Sequence, residues 1–167
     1  MVATASKSPP PGSPEPTAGH RPQGCTNFKL RQLLRVVARR YDAHLAQVGL
    51  KGTQFSLLSY LVAAGPAMPS RIAADMGLDN STLTRNLAVL AGLGWVQVAA
   101  GPDARSRRVS ITDAGRARRT EALPHWKAAQ LALNARLGEP DVLALHALID
   151  RSFQRLNDDT PPEGPSA

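Results

Sequence analysis

The sequence predicts a mainly α-helical fold that carries one small β-hairpin. Six stretches between residues 26 and 157 place apolar side chains at helical spacing. A single hairpin pattern pairs Val96 and Val98 with Val109 and Ile111, and Gly101-Pro102-Asp103 supplies the turn. This hairpin directly follows a helix whose outer face is polar. The order of these elements indicates one domain of ordinary size, which 167 residues can fill.

The first three helices are bounded by capping signals. The first has the helical apolar pattern Leu30, Leu33, Leu34, Val37, Tyr41 and Leu45, and Gly49 ends it. The second is predicted over Thr53–Ala63, with Thr53 as its N-cap and Gly65-Pro66 as its stop. The third has Pro69 in its first turn, where a missing N–H is tolerated, and runs to Gly77.

The fourth helix is predicted to begin at Asp79, a good N-cap residue. Its buried stripe follows helical spacing and consists of Leu83, Leu87, Leu90 and Leu93. Burying these leucines turns Ser81, Arg85 and Ala88 to the opposite face. The helix is therefore amphipathic, with small polar groups and one long cation outward.

Two helices follow the hairpin. Thr112 caps a long fifth helix that we expect to break or kink near Pro124, and Gly138-Glu139-Pro140 separates it from the last helix. The last helix carries a further apolar face, made of Val142, Leu145, Leu148, Ile149, Phe153 and Leu156. The first, fifth and sixth helices together have more apolar surface than one small core needs, which predicts a homodimer.

The fourth helix and the hairpin have the chemistry of a device that reads double-stranded DNA. Short hydroxyls and a forked cation suit base edges in a major groove, and the helix offers Ser81, Thr82, Thr84 and Arg85. The hairpin adds cations that can reach phosphates or the minor groove, namely Arg105, Arg107 and Arg108.

The charge and composition favour a polyanionic partner. The formal net charge is +7, and most of the 20 basic residues are arginines. A GC-rich coding sequence would give the same arginine bias, so the charge alone decides nothing about the partner. We find no transmembrane segment, signal peptide, metal-ligand cluster, cofactor motif or catalytic constellation, and the chain is interpreted as a cytoplasmic, nucleoid-associated protein that is not an enzyme and needs no cofactor.

These residues resemble the MarR family of bacterial winged helix-turn-helix regulators, over about residues 25–157. The similar segments are GLKGTQFSLLSYL, SRIAADMGLDNSTLTRNLAVLAGLGWV and the wing GPDARSRRVSITDAG. The resemblance implies a homodimer with recognition helices in successive major grooves, where Ser81, Thr82, Thr84 and Arg85 contact DNA. It places Arg105 in the minor groove at the wing tip and gives Asp103 a role in shaping the wing. Arg107 and Arg108 contact phosphates or pair with Asp103.

The domain division follows from these assignments. Residues 1–24 and 158–167 are rich in Pro, Ser and Gly or polar groups and are predicted to be disordered tails. Residues 49–112 form the winged helix-turn-helix, and residues 25–48 and 113–157 form a helical dimerisation region. Arg116, Arg118 and Arg119 at the start of the fifth helix are open to a second interpretation, a solvated helix face.

The resemblance also implies a repressor that a small molecule or an oxidant releases from DNA. An aromatic acid or phenol would suit a site made from Asn27, Arg31, Tyr41, His125, Trp126 and Gln130. Alternatively, Cys25 acts as a redox sensor, since a helix N-terminus and nearby cations favour a thiolate. A third hypothesis is a non-specific architectural DNA-binding protein, for which the same charge would serve.

Overall fold

The structure, a computed structural model, describes residues 23–100 and 107–158. The predicted tails, except residues 23, 24 and 158, and the wing tip with Asp103 and Arg105 lie outside the described residues. Within the described residues the fold is helical with one antiparallel strand pair, which confirms the predicted fold class. The elements, in chain order, are α1 (Thr26–Leu45), a 3-10 turn (Ala46–Val48), α2 (Gly52–Ala64), α3 (Pro69–Asp75), α4 (Asn80–Gly92), β1 (Val96–Ala100), β2 (Arg107–Ile111), α5 (Asp113–Leu137) and α6 (Glu139–Asn157).

The junction between α1 and α2 is fixed by a glycine and by side chains that reach across it. Gly49 follows the 3-10 turn in the left-handed region, with φ of 66°, as its predicted role at the end of the helix requires. The predicted N-cap Thr53 is wrong, because α2 begins at Gly52 and Lys51 is the cap residue. Lys51 N–H donates to Gln54 Oε1 at 2.9 Å and Gly52 N–H to an Asp42 oxygen of α1 at 2.6 Å. These acceptors satisfy N–H groups that the helix itself leaves open.

Helices α3 and α4 form a helix-turn-helix over a common core. Pro69 occupies the first turn of α3, as predicted, and Asp79 is the N-cap of α4. On the inner face of α4, Leu83, Leu87 and Leu90 are buried. The prediction that Leu93 continues this stripe is wrong, because Leu93 is the cap residue after the last turn and its side chain is 50% exposed.

The strand pair is joined to the helix-turn-helix by a short bridge. Strands β1 and β2 pair antiparallel, with Val96 opposite Ile111 at the base and Ala100 opposite Arg107 at the far end. The other edge of β2 pairs with Ala67, whose N–H and carbonyl both bond to Val109 at 3.0 and 2.8 Å. Val109 is fully buried. The base of the hairpin is thus part of the core and is tied to Ala67, two residues before α3.

Helix α5 is the long helix that connects the hairpin to α6. Thr112 caps it, and its hydroxyl accepts from the Gly115 N–H at 3.1 Å, as predicted. A break at Pro124 is wrong, because Asp113–Leu137 is one uninterrupted helix, and the predicted alternative, a kink, stays a prediction. Ala122 is fully buried, and Leu123 and Trp126 pack against the core on either side of the proline. These tertiary contacts hold the helix together although Pro124 removes one hydrogen bond.

The outer helices leave large apolar side chains uncovered. Leu34 of α1, Leu131 of α5 and Phe153 of α6 are 67, 69 and 65% exposed, and further exposed members are Phe28, Leu30, Leu33, Leu143, Leu148, Ile149 and Leu156. The buried apolar residues of these helices are Leu45 in α1, Ala122 and Ala129 in α5, and Val142 in α6. Such contiguous apolar surface is typical of an interaction face rather than of a solvated one.

Candidate nucleic-acid interface and effector cleft

The outer face of α4 presents a polar, open surface. Its inner leucines are buried in the core, so helical geometry turns Ser81, Thr84, Arg85 and Ala88 outward, and all four are exposed. Asp79 starts the helix by accepting from Thr82 N–H at 2.8 Å. The first turn of α4 is therefore held in place while the face beside it stays accessible to a ligand.

The two threonines of this face use their hydroxyls within the helix. Thr82 is half-buried, and its hydroxyl donates to the second carboxylate oxygen of Asp79 at 2.6 Å. The Thr84 hydroxyl donates to the Asn80 carbonyl at 2.7 Å and keeps lone pairs that can still accept. Of the predicted contact residues on α4, Ser81 and Arg85 therefore have the most open side chains, and Thr82 acts as part of the cap.

The arginines of β2 lie on a strand whose side chains alternate between the two faces of the hairpin. Arg107 shares a face with the buried Val109, whereas Arg108 shares the opposite face with Ser110. Both arginines are exposed. They therefore point to different sides of the hairpin and cannot both approach one strand of DNA in the same way. The predicted pairing of either with Asp103 lies outside the described residues.

The Asp79 cap makes the stability of α4 dependent on pH. Hydrogen bonds from the hydroxyl and the N–H of Thr82 lower the pKa of Asp79 below its ordinary 3.8. A depressed carboxyl pKa stabilises the fold above the ordinary pKa, and this contribution is lost as the pH falls through the lowered value.

Replacing Asp79 by alanine is expected to lower the melting temperature by a few degrees at pH 7, because the cap acceptor is lost. The difference from the wild type should narrow as the pH falls through the lowered pKa of Asp79, because protonation removes the charge of the cap and leaves one acceptor oxygen. Asp79→Asn, which keeps an acceptor without the charge, is the control and should retain most of the stability. Thermal unfolding followed by circular dichroism from pH 7 down to about pH 2, below the lowered pKa, measures this; equal pH profiles for the wild type and Asp79→Ala would contradict it.

A cleft of about 400 Å³ lies between α2 and α5. Aromatic and apolar side chains form its walls, and hydroxyls and a guanidinium give it polar points. The lining residues are Phe55, Ser56, Ser59, Tyr60, Met76, Arg119, Leu123 and Trp126. An apolar cavity of this size with a few polar groups is the usual form of a site for a small organic molecule.

Trp126 and Phe55 form a stacked aromatic wall of the cleft, and Tyr41 contacts Trp126 at a tilt. The Trp126 ring lies over Phe55 with centroids 5.8 Å apart and contacts the Tyr41 ring at 6.4 Å. The Tyr41 hydroxyl donates to Gln130 Oε1, and burial raises its pKa above the ordinary value. Arg119 spans the other side, 5.9 Å from the Phe55 centroid, with Nε 3.4 Å from the Ser59 hydroxyl. A planar ligand would meet an aromatic face and a cation together.

The cleft is connected to the helix-turn-helix through Tyr60. The Tyr60 hydroxyl donates to Asp75 Oδ2 at 2.7 Å, and Arg71 Nε donates to the same oxygen at 2.7 Å. The bond to Asp75 raises the pKa of Tyr60, and the bonds from Arg71 and Tyr60 lower that of Asp75. Asp75 ends α3, and Met76 after it also lines the cleft. A ligand here would touch the end of α3 directly.

The structure brings together part of the predicted effector set. Tyr41, Trp126 and Gln130 are in contact, and His125 is a half-buried neighbour of Trp126. Arg31 and Asn27 are exposed and lie about 15 and 21 Å along α1 from Tyr41, at 1.5 Å per residue, so they do not reach this group within one chain.

Sequence reasoning missed the charged and hydroxyl side of the cleft. The residues concerned are Ser56, Ser59, Tyr60 and Arg119, and Arg119 was open to interpretation as part of a solvated face. That interpretation is wrong for Arg118 and Arg119, which are half-buried and in contact with aromatic rings, whereas Arg116 is exposed. The available signal was the helical spacing of Arg119, Leu123 and Trp126, which places a cation on the same face as two apolar groups.

The structure gives less detail on the redox, metal and membrane predictions. Cys25 is exposed and is the residue that precedes α1. Among the residues that the structure describes, no group of His, Cys, Asp and Glu is arranged to hold a metal ion. In the same residues, no helix combines the length and the apolar character needed to cross a membrane.

Comparisons with known proteins identify the family of this arrangement. A model of the MarR family matches residues 48–106, which cover the helix-turn-helix and the first strand of the hairpin, β1. The HTH-type transcriptional regulator YwoH of Bacillus subtilis, itself uncharacterised, is 31% identical over 84 residues. That match covers 50% of this chain, and the chain spans 61% of the length of YwoH.

Solved structures extend the similarity to the outer helices. The M. tuberculosis transcriptional regulator MosR in complex with DNA is 34% identical, with a TM-score of 0.69, over 80% of this chain and 99% of that one. A mutant of MarR from E. coli complexed with operator DNA has a TM-score of 0.70 at 22% identity, over 75% of this chain and 91% of that one, and shows the fold alone. Because its relatives are transcriptional regulators, the prediction that the chain is not an enzyme is confirmed. The chain belongs to the MarR family of transcriptional regulators.

Proposed function

We propose that the protein is a sequence-specific DNA-binding repressor whose homodimer binds a pseudo-palindromic operator and is released by a small aromatic acid or phenol. The open polar face of α4, together with the exposed arginines of β2, carries this proposal. Ser81 and Arg85 can meet base edges, and Arg107 and Arg108 can meet the backbone. The relative MosR was solved in complex with DNA, which supports DNA as the partner of this chain.

The exposed apolar faces of α1, α5 and α6 support the homodimer. A second copy has the same faces, so a two-fold axis would cover both sets at once. Two copies would also give two α4 helices with their hairpins, which we call the two reading heads of the dimer. A pair of such heads matches a DNA site made of two inverted half-sites. Asn27 and Arg31, on the exposed part of α1, remain predictions as effector contacts and would need the second copy to approach a cleft.

The cleft between α2 and α5 supports release by an aromatic acid. Trp126 and Phe55 supply an aromatic wall, and Arg119 supplies a charge for a carboxylate or phenolate. Tyr60 and Met76 connect the cleft to the end of α3, which precedes the α4 cap. An occupant that moves these two side chains would bias the position of the reading helix.

Sequence-specific binding is tested by competition. Labelled fragments from the gene's own promoter region are titrated with the protein in excess unlabelled non-specific DNA, at several salt concentrations. The proposal expects one fragment to be retained at least about a thousandfold more tightly than the competitor. Equal retention of all fragments would instead support the non-specific architectural alternative.

An aromatic carboxylate is expected to raise the melting temperature of the wild type and of Cys25→Ser alike, because a ligand that binds the folded state stabilises it. Arg119→Met should lose most of this shift, and Arg116→Met, an exposed cation on the same helix, should keep it. A thermal-shift screen of phenols, aromatic acids and peroxide measures the effect. An unchanged shift in Arg119→Met would contradict the proposed cleft.

The same compounds, tested for release of operator DNA, separate the alternative signal. Cys25 is exposed at the start of α1, where a thiol can be reached by an oxidant. If peroxide releases operator DNA from the wild type but not from Cys25→Ser, and aromatic acids release it from neither, redox control replaces ligand control.

A further inference from the structure

The base of the hairpin is fastened to the first turns of α5. The Thr112 hydroxyl donates to the Gly94 carbonyl at 2.7 Å, and Thr112 N–H donates to the Trp95 carbonyl at 3.0 Å. A Cβ on Gly115 would lie 2.0 Å from the same Trp95 oxygen, so a glycine is needed for this close approach. We call residues 94–95 and 112–115 the wing base. These contacts fix the backbone of the wing base, and they do not fix the side-chain ring of Trp95.

Arg118 holds this ring and two other elements. Its guanidinium carbon lies 5.4 Å from the centre of the Trp95 ring, an ordinary cation–π distance. Nη2 donates to the Val48 carbonyl at the end of the 3-10 turn, and Nη1 donates to Glu121 Oε2 at 2.7 Å. One side chain therefore joins the wing base, the end of the α1 segment and α5.

Arg118 lies in an environment that is energetically unfavourable for a cation. The side chain is 25% exposed, and Nε is buried with no hydrogen-bond partner among the described residues. The neighbouring Gly49 leaves room for it, since a Cβ there would lie 3.2 Å from Nη2. A buried polar group without a partner is unfavourable, so the two remaining bonds and the stacked ring must compensate for it.

Arg118 thus lies where the helices with uncovered apolar faces meet the DNA-facing hairpin. The segment that Val48 ends begins with α1, and α5 continues from Arg118 to the exposed Leu131. We propose that Arg118 is a positioning residue for DNA binding: it fixes the wing base to α1 and α5 and so sets the geometry between the two reading heads of the dimer. This inference rests on the proposed function.

Arginine is required here because of its shape. A planar guanidinium can lie over an indole while its two terminal nitrogens donate in different directions. A lysine ammonium has the charge but neither the flat face nor the fork. The proposal therefore predicts that Arg118→Lys behaves like Arg118→Met, although only Met removes the charge.

The test measures how affinity depends on the spacing of the half-sites. Operator variants with zero, one or two inserted base pairs are titrated with the wild type, Arg118→Met, Arg118→Lys and the control Arg116→Met, which makes the same charge change at an exposed position of α5. Two inserted base pairs rotate one half-site by about 70°, and the wild type should lose at least about tenfold in affinity. Both Arg118 variants should lose only about threefold, and Arg116→Met should follow the wild type.

The result of each variant is the ratio of its affinity for the operator without an insertion to its affinity for the operator with two inserted base pairs. This ratio does not depend on how much of the variant is folded, because both affinities are measured on the same preparation. If the Arg118 variants keep the wild-type ratio while their absolute affinity falls, Arg118 serves stability alone and the inference is overturned. A wild-type spacing profile in Arg118→Lys overturns it as well, because charge would then suffice. If the wild type itself binds all spacings equally, the two-headed dimer of the proposed function fails and the inference fails with it.

A second readout does not depend on DNA. In a Trp126→Phe background the tryptophan fluorescence comes from Trp95, since the chain has two tryptophans. Arg118→Met and Arg118→Lys should each make Trp95 more accessible to acrylamide and shift its emission to longer wavelength, and Arg116→Met should not. Unchanged quenching in both Arg118 variants contradicts the positioning role even if operator binding is specific.

Discussion

Leu90→Ala is expected to lower the free energy of unfolding by about 2–5 kcal/mol. The Leu90 side chain is fully buried beneath α4, where truncation removes apolar contacts and leaves a cavity. Because α4 is the helix that we propose reads DNA, operator affinity should fall with stability. Denaturant unfolding at one fixed protein concentration measures the change, since a dimer's apparent stability depends on concentration.

Leu93→Ala is the matched control. It makes the same chemical change three residues later, at a side chain that is 50% exposed, and should change stability by no more than about 0.5 kcal/mol. A large loss for Leu93→Ala would mean that the sequence-predicted stripe continues to Leu93 in solution. Equal effects of the two substitutions would contradict the placement of α4 on the core.

Arg85→Ala is expected to cost about 1–3 kcal/mol of operator affinity and to relax base preference at one position of each half-site. Arg85 is exposed on the outer face of α4, and a planar guanidinium can donate to two acceptors of a guanine at once. Competition titrations against operators with single base changes measure both effects.

Arg108→Ala is the comparison variant for Arg85→Ala. As a phosphate contact on the outer side of the hairpin, Arg108 should weaken binding to all sequences equally and reduce the salt dependence by about one counterion. If Arg85→Ala also weakens all sequences equally, Arg85 contacts phosphate and does not read a base. Unchanged affinity in both variants would remove the DNA-binding face from this side of the molecule.

The parts of the fold that the sequence predicted are those decided within a few residues. Asp79 and Thr112 are caps because their side chains accept from an N–H three residues ahead. Gly49 ends its segment because glycine adopts the left-handed region without a steric cost. The inner face of α4 followed from helical period alone up to Leu90.

The errors arose where distant residues decide the outcome. Helix α2 begins at Gly52 because Asp42, ten residues earlier, accepts from the Gly52 N–H. Helix α5 continues through Pro124 because core contacts flank the proline. Arg118 and Arg119 leave the solvated face because Trp95 and Phe55 come to lie beneath them. Local pattern contains none of these contacts.

The two candidate sites also differ in how far the sequence predicts them. The candidate DNA-contact surface was predictable because α4 and the hairpin that follows it in the chain each carry exposed polar or cationic side chains. The cleft was only partly predictable: Trp126 was expected in it, but Ser59, Tyr60 and Arg119 enter it through the packing of α2 on α5. The roles of all these residues in binding remain predictions.

Selection of binding sites from random-sequence DNA by the wild-type protein tests the central proposal most directly. A homodimer that reads DNA with two α4 helices predicts an enriched inverted repeat whose half-site centres lie about ten base pairs apart. Arg85→Ala should enrich a repeat that is degenerate at one position of each half-site. Recovery of no common motif, or of a single half-site without its inverted partner, would contradict a homodimer that reads DNA through α4.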